Sequence, residues 1–200
     1  TKSVVATKAN GTVLVLTTAQ LAAIENAFTI TPSTTNTNNG TINWNYSITE
    51  ENLNFLAAGE NVTAVFTVTV IDNNGSTLTQ DVTVNITGTN DAPTITSVAG
   101  TTDVTGAVTE DATTTTLTDT GRLTFADVDL TDTHTVSAIK VSGTLGGTLT
   151  FGSVTESATT SDGSVPWTYS VANSNTQYLA LNQTASEVFT VIISDGNGGT

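Results

Sequence analysis

The chain contains an internal repeat, and no other feature of the sequence limits its possible folds as much. Trp44 and Trp167 begin two similar motifs that lie 123 residues apart. Four motifs recur at this interval without a gap: WNYS (44–47) with WTYS (167–170), FLA (55–57) with YLA (178–180), VFTV (65–68) with VFTV (188–191), and DNNG (72–75) with DGNG (195–198). Nearer the N-terminus the interval is 132, so the first copy has nine additional residues before Trp44. This regular spacing predicts two tandem copies of one folded module.

Most segments of each copy predict short strands. Polar and apolar residues alternate over residues 61–71 and 78–87, and turns rich in Gly and Asn follow at 73–75 and 196–199. Residues 18–25 predict one or two helical turns, and residues 31–40 predict a polar loop. Further strands are predicted at residues 13–16, 41–48, 107–109, 133–141, 147–151, 165–171 and 185–193. The pattern predicts an all-β fold of tandem immunoglobulin-like (cadherin-like) β-sandwiches joined end to end.

Residues 89–93 (TNDAP) separate the two copies. Strand-like segments lie on both sides of them, and Pro93 ends strand pairing because it lacks a backbone N–H and has a fixed φ. The predicted domains are therefore 1–92 and 93–200. Alignment of the copies leaves the first without N-terminal strands and the second without its final strand. We expect neighbouring sequence or another chain to complete both sheets, since open sheet edges are prone to aggregation.

The formal net charge of −14 limits the possible partners. The fixed positive charges are those of Lys2, Lys8, Arg122 and Lys140. A chain this acidic should repel nucleic acid and anionic membranes and attract divalent cations. It has no cysteine, which excludes disulfides and thiolate sites and favours a metal as the alternative staple. The sequence also lacks an apolar run long enough for a transmembrane helix, so we expect no membrane insertion.

Acidic and amide side chains are concentrated around the joint between the copies. Asp127 and Asp129 are two residues apart in a strand-like segment, so both side chains can face one ion. Ca²⁺ takes roughly 6–8 oxygen ligands. Neighbouring carboxylates repel one another unless a cation neutralises them. The candidate metal ligands are Glu60, Asn90, Asp91, Glu110, Asp111, Asp127, Asp129 and Asp132.

Three segments of the first copy resemble a known family. FLAAGE (55–60), VFTVTVID (65–72) and TGTNDAP (87–93) are similar to the end of VCBS-type repeats, which occur with cadherin-like domains in large bacterial surface adhesins. The resemblance implies a secreted structural repeat, exported by a type I system. By analogy with the calcium sites between cadherin domains, it implies the inter-domain ligands Glu60, Asn90, Asp91, Glu110, Asp127 and Asp129. The second copy has Gln183 where the first has Glu60, which implies a weaker site or none at its far end.

The recurring aromatic residues have two possible roles. Trp44 with Tyr46, and Trp167 with Tyr169, lie two apart on strand-like segments. Because they recur identically, and because a sandwich core needs a large aromatic residue, we expect them in the cores. Exposed tryptophans would instead indicate a polysaccharide-binding platform.

The sequence offers little for catalysis. His134 is the one histidine, its counterpart in the first copy is Lys2, which indicates no shared role, and we expect it at the surface. The turns that begin at Asp72 and Asp195 are expected to be ordinary hairpin turns, although the second resembles half of a calcium loop. We therefore expect a protein that is not an enzyme.

These observations together predict calcium-stiffened spacer repeats of a secreted bacterial surface adhesin that acts in cell adhesion or biofilm formation. The cofactor is Ca²⁺, the location is extracellular, and the principal partners are neighbouring repeats of the same protein. Two alternatives remain: a polysaccharide-binding module, and a subunit of a self-assembling extracellular filament or surface layer in which another copy fills the open edges.

Overall fold

The computed structural model describes residues 2–32 and 40–200. The chain divides into two compact units, Thr1–Asn90 and Asp91–Thr200, a division that falls two residues before the boundary predicted from Pro93. Strands dominate both units, as expected of an all-β protein. Most of the loop predicted at residues 31–40 lies outside the described residues.

Within residues 2–32 and 40–90, the first unit combines two antiparallel sheets with one short helix. Strand order is β1-β4-β5 in one sheet and β2-β3 in the other. The helix α1 begins with a capping box, in which Thr17 and Gln20 satisfy each other's backbone N–H groups. The elements are β1 (Ser3–Thr7), α1 (Thr18–Asn26), β2 (Phe28–Pro32), β3 (Ile42–Tyr46), a 3-10 turn (Glu50–Asn52), β4 (Asn61–Ile71) and β5 (Thr77–Thr87).

The core of the first unit lies between its two sheets. Phe66 of β4 stacks on Phe28 of β2 with ring centroids 4.3 Å apart. Ile24 of α1, Leu56 and Val62 are fully buried in the same cluster. The alternation of polar and apolar residues along β4 therefore has the expected result, since one face of the strand is buried and the other is not.

The second unit also has two antiparallel sheets. Strand order is β10-β11-β7-β6 in one, with β9 also paired to β11, and β12-β8 in the other. Leu123, Val165 and Trp167 form a buried cluster against Val136 and Val191, which come from the opposite sheet. The elements are β6 (Thr94–Thr96), β7 (Thr116–Ala126), β8 (Thr135–Ser142), β9 (Thr148–Phe151), β10 (Thr155–Ser157), β11 (Thr160–Ala172), a 3-10 turn (Asn173–Asn175) and β12 (Val188–Ser194).

Equivalent elements of the two copies occupy equivalent places within their own units. The 3-10 turns at Glu50–Asn52 and Asn173–Asn175 are separated by the repeat interval of 123 residues. Trp44 of β3 lies opposite Ile30 of β2, and Trp167 of β11 lies opposite Phe151 of β9. In addition, β1 pairs with β4 as β8 pairs with β12.

Two local predictions need correction. Residues 107–109 do not form a strand, and residues 13–16 contribute one isolated bridge, from Val13 to Thr7. The predicted helical turns are present as α1. Among the described residues, no helix is both long and apolar enough to cross a membrane.

Candidate metal site in the second unit

The acidic segment after β7 folds into a compact turn whose carboxylates point inward. Asp127 and Asp129 expose 4% and 1% of their surface. The backbone N–H of Asp129 donates to Asp127 Oδ1 at 2.9 Å, and that of Asp132 donates to the carbonyl of Asp129 at 3.0 Å. The backbone N–H of Asp127 donates to the carbonyl of Ser161, beside the start of β11. Asp127 and Asp129 are thus both buried, although they lie in a turn after β7 and not in the strand-like segment expected from the sequence.

Asp129 connects this turn to the first residue of the unit. The backbone N–H of Asp91 donates to Asp129 Oδ2 at 2.8 Å. The other carboxylate oxygen, Oδ1, is buried and has no hydrogen-bond partner within the described residues. Burial raises the pKa of Asp129 to about 7, and the negative charges of Asp132, Asp127 and Asp91 contribute, against the lowering effect of the Asp91 N–H. A buried oxygen in this setting favours either a proton or a cation.

Asp132 extends the cluster toward the turn that follows β12. Its Oδ2 accepts a hydrogen bond of 2.8 Å from the side chain of Asn197. Burial raises the pKa of Asp132, and the charges of Asp127 and Asp195 raise it further, although the Asn197 hydrogen bond and His134 act in the opposite direction. Asp195 is 3% exposed, and its Oδ1 accepts from the backbone N–H groups of Asn197 and Gly199.

Asp195 therefore belongs to the acidic cluster, although the sequence predicted only a hairpin turn there. The predicted turn is present: the backbone N–H of Asp195 donates a hydrogen bond to the carbonyl of Gly199. The equivalent turn of the first unit is ordinary: Asp72 accepts from the N–H groups of Asn74 and Ser76 at the surface. The half-loop pattern at residues 195–199 was the signal that could have identified Asp195 as a cluster member.

The side chain of His134 is buried rather than at the surface, which corrects the expectation from the sequence. Its side chain is 4% exposed and lies between two carboxylates, with Nε2 3.0 Å from Asp127 Oδ2 and Nδ1 2.7 Å from Glu156 Oε2. Its ring packs against Phe125, 4.8 Å between centroids. Burial alone would lower the pKa of His134, but the hydrogen bonds and charges of Asp127 and Glu156 outweigh it and raise the pKa. His134 thus fixes the orientation of Asp127.

Glu110 and Asp111 lie away from this cluster. They precede β7, whose 11 residues run from Thr116 to Ala126, whereas Asp127 follows its end. An extended strand of that length spans about 35 Å. The carboxylate of Asp111 accepts from the backbone N–H groups of Thr113 and Thr114, and from the Thr114 hydroxyl. These bonds lower the pKa of Asp111 and account for its position without a metal.

Glu60 and Asn90 belong to the first unit. Glu60 is 1% exposed, and its Oε2 accepts from the backbone N–H of Ala57 at 3.2 Å. Its own carbonyl accepts from the N–H of Gly88 at 2.8 Å. Asn90 is the last residue of this unit.

The side chains that the second unit brings together have the donor atoms that Ca²⁺ prefers. Carboxylates of Asp127, Asp129, Asp132 and Asp195 supply hard oxygen ligands, and each oxygen has lone pairs beyond those its hydrogen bond uses. The buried, unpartnered Oδ1 of Asp129 fits a cation. Across residues 2–32 and 40–200, no group of three or more His, Asp or Glu side chains is already arranged around a metal position. Binding would therefore require side-chain rotations within the cluster.

Comparisons with known proteins do not assign a family: no family model, no curated protein and no solved structure matches the chain.

Proposed function

We propose that this chain is a pair of immunoglobulin-like spacer repeats from a secreted bacterial surface adhesin, stiffened by Ca²⁺. Two observations support the repeat architecture. Each unit has two sheets on either side of its own core, and equivalent elements recur at the interval of the sequence repeat. The adhesin assignment rests on the resemblance to VCBS-type repeats at residues 55–60, 65–72 and 87–93. The proposed role is mechanical, with no enzymatic activity.

The observation that carries the calcium proposal is the buried carboxylate of Asp129. One oxygen is held by the Asp91 N–H, and the other is unpartnered among three further carboxylates. Burying an ionised carboxylate without a partner is costly, and several close negative charges increase the cost. A divalent cation would remove both penalties. Of the eight ligands predicted from the sequence, the proposal retains Asp91, Asp127, Asp129 and Asp132, and it adds Asp195.

Ion binding at this cluster would act on the segment that joins the units. Asp91 is the first residue of the second unit, and its N–H is held by Asp129. When a cation neutralises the carboxylates, the contact between the Asp91 N–H and Asp129 strengthens, and the backbone of residues 90–93 becomes more ordered. Without the ion, repulsion within the cluster loosens this contact. Affinities of extracellular calcium modules are about 10⁻⁴–10⁻³ M, so the chain would stiffen outside the cell and remain loose in the calcium-poor cytoplasm.

The proposal is tested by thermal unfolding and small-angle X-ray scattering in millimolar Ca²⁺ and then in chelator. We expect Ca²⁺ to raise the unfolding temperature and to increase the radius of gyration, because the joint becomes extended and ordered. Asp129→Asn removes a ligand charge with little change in size, and it should abolish both responses. Asp111→Asn is the matched control, because its carboxylate lies at the other end of β7, and this variant should respond like the unaltered chain.

Two results would contradict the proposal. The first is an unfolding temperature and a radius of gyration that do not change between Ca²⁺ and chelator. The second is an equal loss of response in Asp129→Asn and Asp111→Asn, which would show that Ca²⁺ acts on the overall charge rather than at the cluster. Mg²⁺ at the same concentration provides a further control for ionic strength.

A second candidate function, polysaccharide binding, is favoured by one observation. Trp44 exposes 51% of its surface, whereas the core prediction holds for Trp167, which is 6% exposed. The prediction of a buried residue is therefore wrong for Trp44. A single exposed tryptophan is a weaker sugar platform than an aligned pair. Titration with soluble oligosaccharides, observed at the Trp44 indole, tests this function.

A further inference from the structure

The two repeated tryptophans occupy equivalent positions but have different surroundings. Trp44 on β3 lies opposite Ile30, and Trp167 on β11 lies opposite Phe151, so each tryptophan shares a sheet face with its cross-strand partner. Trp167 is 6% exposed and Trp44 is 51% exposed. The strand that pairs on one edge of β3 and of β11 is thus equivalent in the two units, and the other edge of each strand differs.

In the second unit, β7 and the segment before it cover the tryptophan. β7 pairs with the edge of β11 that β9 and β10 leave open, and Gly121 lies directly opposite Trp167. The indole lies so close over this glycine that a Cβ there would overlap the ring. The indole N–H donates to the carbonyl of Asp103 at 2.6 Å, and Gly106 also leaves room for the ring. β7 thus supplies the strand and the small residue, and the segment before it, which bridges antiparallel to β7 between Asp103 and Arg122, supplies the acceptor.

In the first unit, the same position is open. β3 pairs with β2, and no other strand within the described residues pairs with β3. Phe28 stacks on the Trp44 ring with centroids 5.9 Å apart and holds it in place. Beside it on the same face, Ile30 is 47% exposed. The unit therefore presents an unpaired strand edge next to a fixed, half-exposed apolar surface, a combination that favours the addition of a strand.

We propose that the open edge of β3 and the Trp44 surface bind a β-strand of the β7 type from a further repeat of the same kind. The chemistry of the occupant follows from the second unit. It is a threonine-rich strand that places a glycine against the indole, together with the segment before it, which folds back along the strand and brings a backbone carbonyl to the indole N–H. This inference goes beyond the spacer function and does not depend on calcium, because none of the residues involved belongs to the acidic cluster.

The test adds a donor strand to the full chain. Residues 97–126 are duplicated ahead of Thr1 through a flexible Gly/Ser linker of about ten residues, roughly the spacing between β7 and β8. The two indole N–H groups are observed by ¹⁵N NMR and assigned with Trp44→Phe. We expect the Trp44 resonance to move toward that of Trp167, and its hydrogen exchange to slow on the order of tenfold or more. The Trp167 resonance should not move.

The matched control is the same fusion with leucine at the position copied from Gly121, in the added strand only. Leucine has a higher strand propensity than glycine but would overlap the indole, so Trp44 should behave as in the unfused chain. An unchanged Trp44 resonance in the glycine fusion would overturn the proposal, and so would equal protection in both fusions. A Trp44 shift in the unfused chain on addition of soluble gluco- or galacto-oligosaccharides would also overturn it and assign the surface to sugar.

Discussion

At the scale of single residues, close backbone approach explains a motif whose role the sequence could not show. Gly88 begins the run GTNDAP, and a Cβ at this position would overlap the carbonyl oxygens of Leu56 and Ala57. Its N–H donates to the carbonyl of Glu60. The motif was visible in the sequence, but its glycine is required by a segment about 30 residues earlier in the chain. Contacts of this kind depend on the tertiary fold.

Gly88→Ala should therefore destabilise the first unit strongly. The atoms in the way are backbone carbonyls, which cannot rotate aside, so we expect a loss of about 2–3 kcal/mol in the free energy of unfolding. Gly75→Ala is the control: it lies in open space and carries only the strain of a positive φ, which costs about 1 kcal/mol. Urea unfolding monitored by circular dichroism measures both. Equal losses would contradict the proposed overlap.

The side chain of Glu187 is a buried carboxylate, and its hydrogen-bond donors stabilise its charge. The carboxylate accepts from Lys140, the Tyr169 hydroxyl and the backbone N–H groups of Gly146 and Gly147. Burial alone would raise its pKa, but the bonds from Lys140, Tyr169 and Gly147 outweigh it and lower the pKa. The lowered value means that Glu187 stabilises the fold above its ordinary pKa of 4.5, and that this stabilisation is lost as the pH falls through the folded-state value.

Glu187→Gln should cost about 2–3 kcal/mol of stability at pH 7, because it leaves Lys140 without its partner and weakens several charged hydrogen bonds. The loss should shrink as the pH falls from 4.5 toward the lowered folded-state pKa of Glu187, through which the folded unaltered chain also loses the charge. Chemical unfolding at a series of pH values measures this. The exposed Lys2–Asp81 pair is the control, and Asp81→Asn should change stability little. A pH-independent loss in Glu187→Gln would indicate altered packing instead.

At the scale of elements, strands with regular alternation were predictable and the strand that covers Trp167 was not. β4 and β5 alternate clearly, and the predicted segments match them closely. β7 was missed because Asp119, Gly121 and Arg122 interrupt its pattern, and Gly and Asp are unfavourable in strands. Gly121 is present because the indole of Trp167 needs the space. Tertiary packing overrides local propensity at this position.

The sequence also could not predict the pairing registers of β1 with β4 and of β8 with β12. Ala6 pairs with Val62, whereas its counterpart Ala138 pairs with Val191, which corresponds to Val68 after subtraction of 123. The two registers therefore differ by six residues. A shift by an even number keeps the same side chains on the buried face, so alternating sequences of Val and Thr do not distinguish these registers.

The capping box of α1 allows a prediction at this scale. The helix has only nine residues, and Thr17 and Gln20 satisfy two of its first backbone donors. Thr17→Ala should lower the unfolding free energy by about 1 kcal/mol. Thr18→Ala makes the same chemical change one residue further on, within the helix, and should have little effect. Denaturant titration of both variants checks this, and equal effects would exclude a capping role.

At the scale of the whole molecule, the repeat was the most reliable guide and the site was only partly predictable. The interval of 123 residues predicted two similar units. Each unit has an equivalent antiparallel strand pair that contains its tryptophan, and an equivalent 3-10 turn. The pair Asp127 and Asp129 and the nearby Asp91 and Asp132 were recognised from spacing. Asp195 joins them only through folding, because it comes from a distant part of the second unit. His134 directly follows the acidic run in the sequence, but its burial against Asp127 depends on the fold.

Separate cores predict separate unfolding. The first unit is built around Phe66 and the second around Leu123 and Trp167, and these clusters share no residue. In differential scanning calorimetry we expect Gly88→Ala to lower one transition and Glu187→Gln to lower another. A single transition shifted equally by both variants would show that the units unfold as one.

The unequal burial of the two tryptophans has a practical consequence. Each unit contains one tryptophan, and the chain has no others. The enclosed indole of Trp167 should fluoresce at shorter wavelength and resist collisional quenchers, whereas the half-exposed indole of Trp44 should emit further to the red and be quenched readily. The natural chain therefore carries one intrinsic optical reporter in each unit, distinguishable by colour and needing no chemical label.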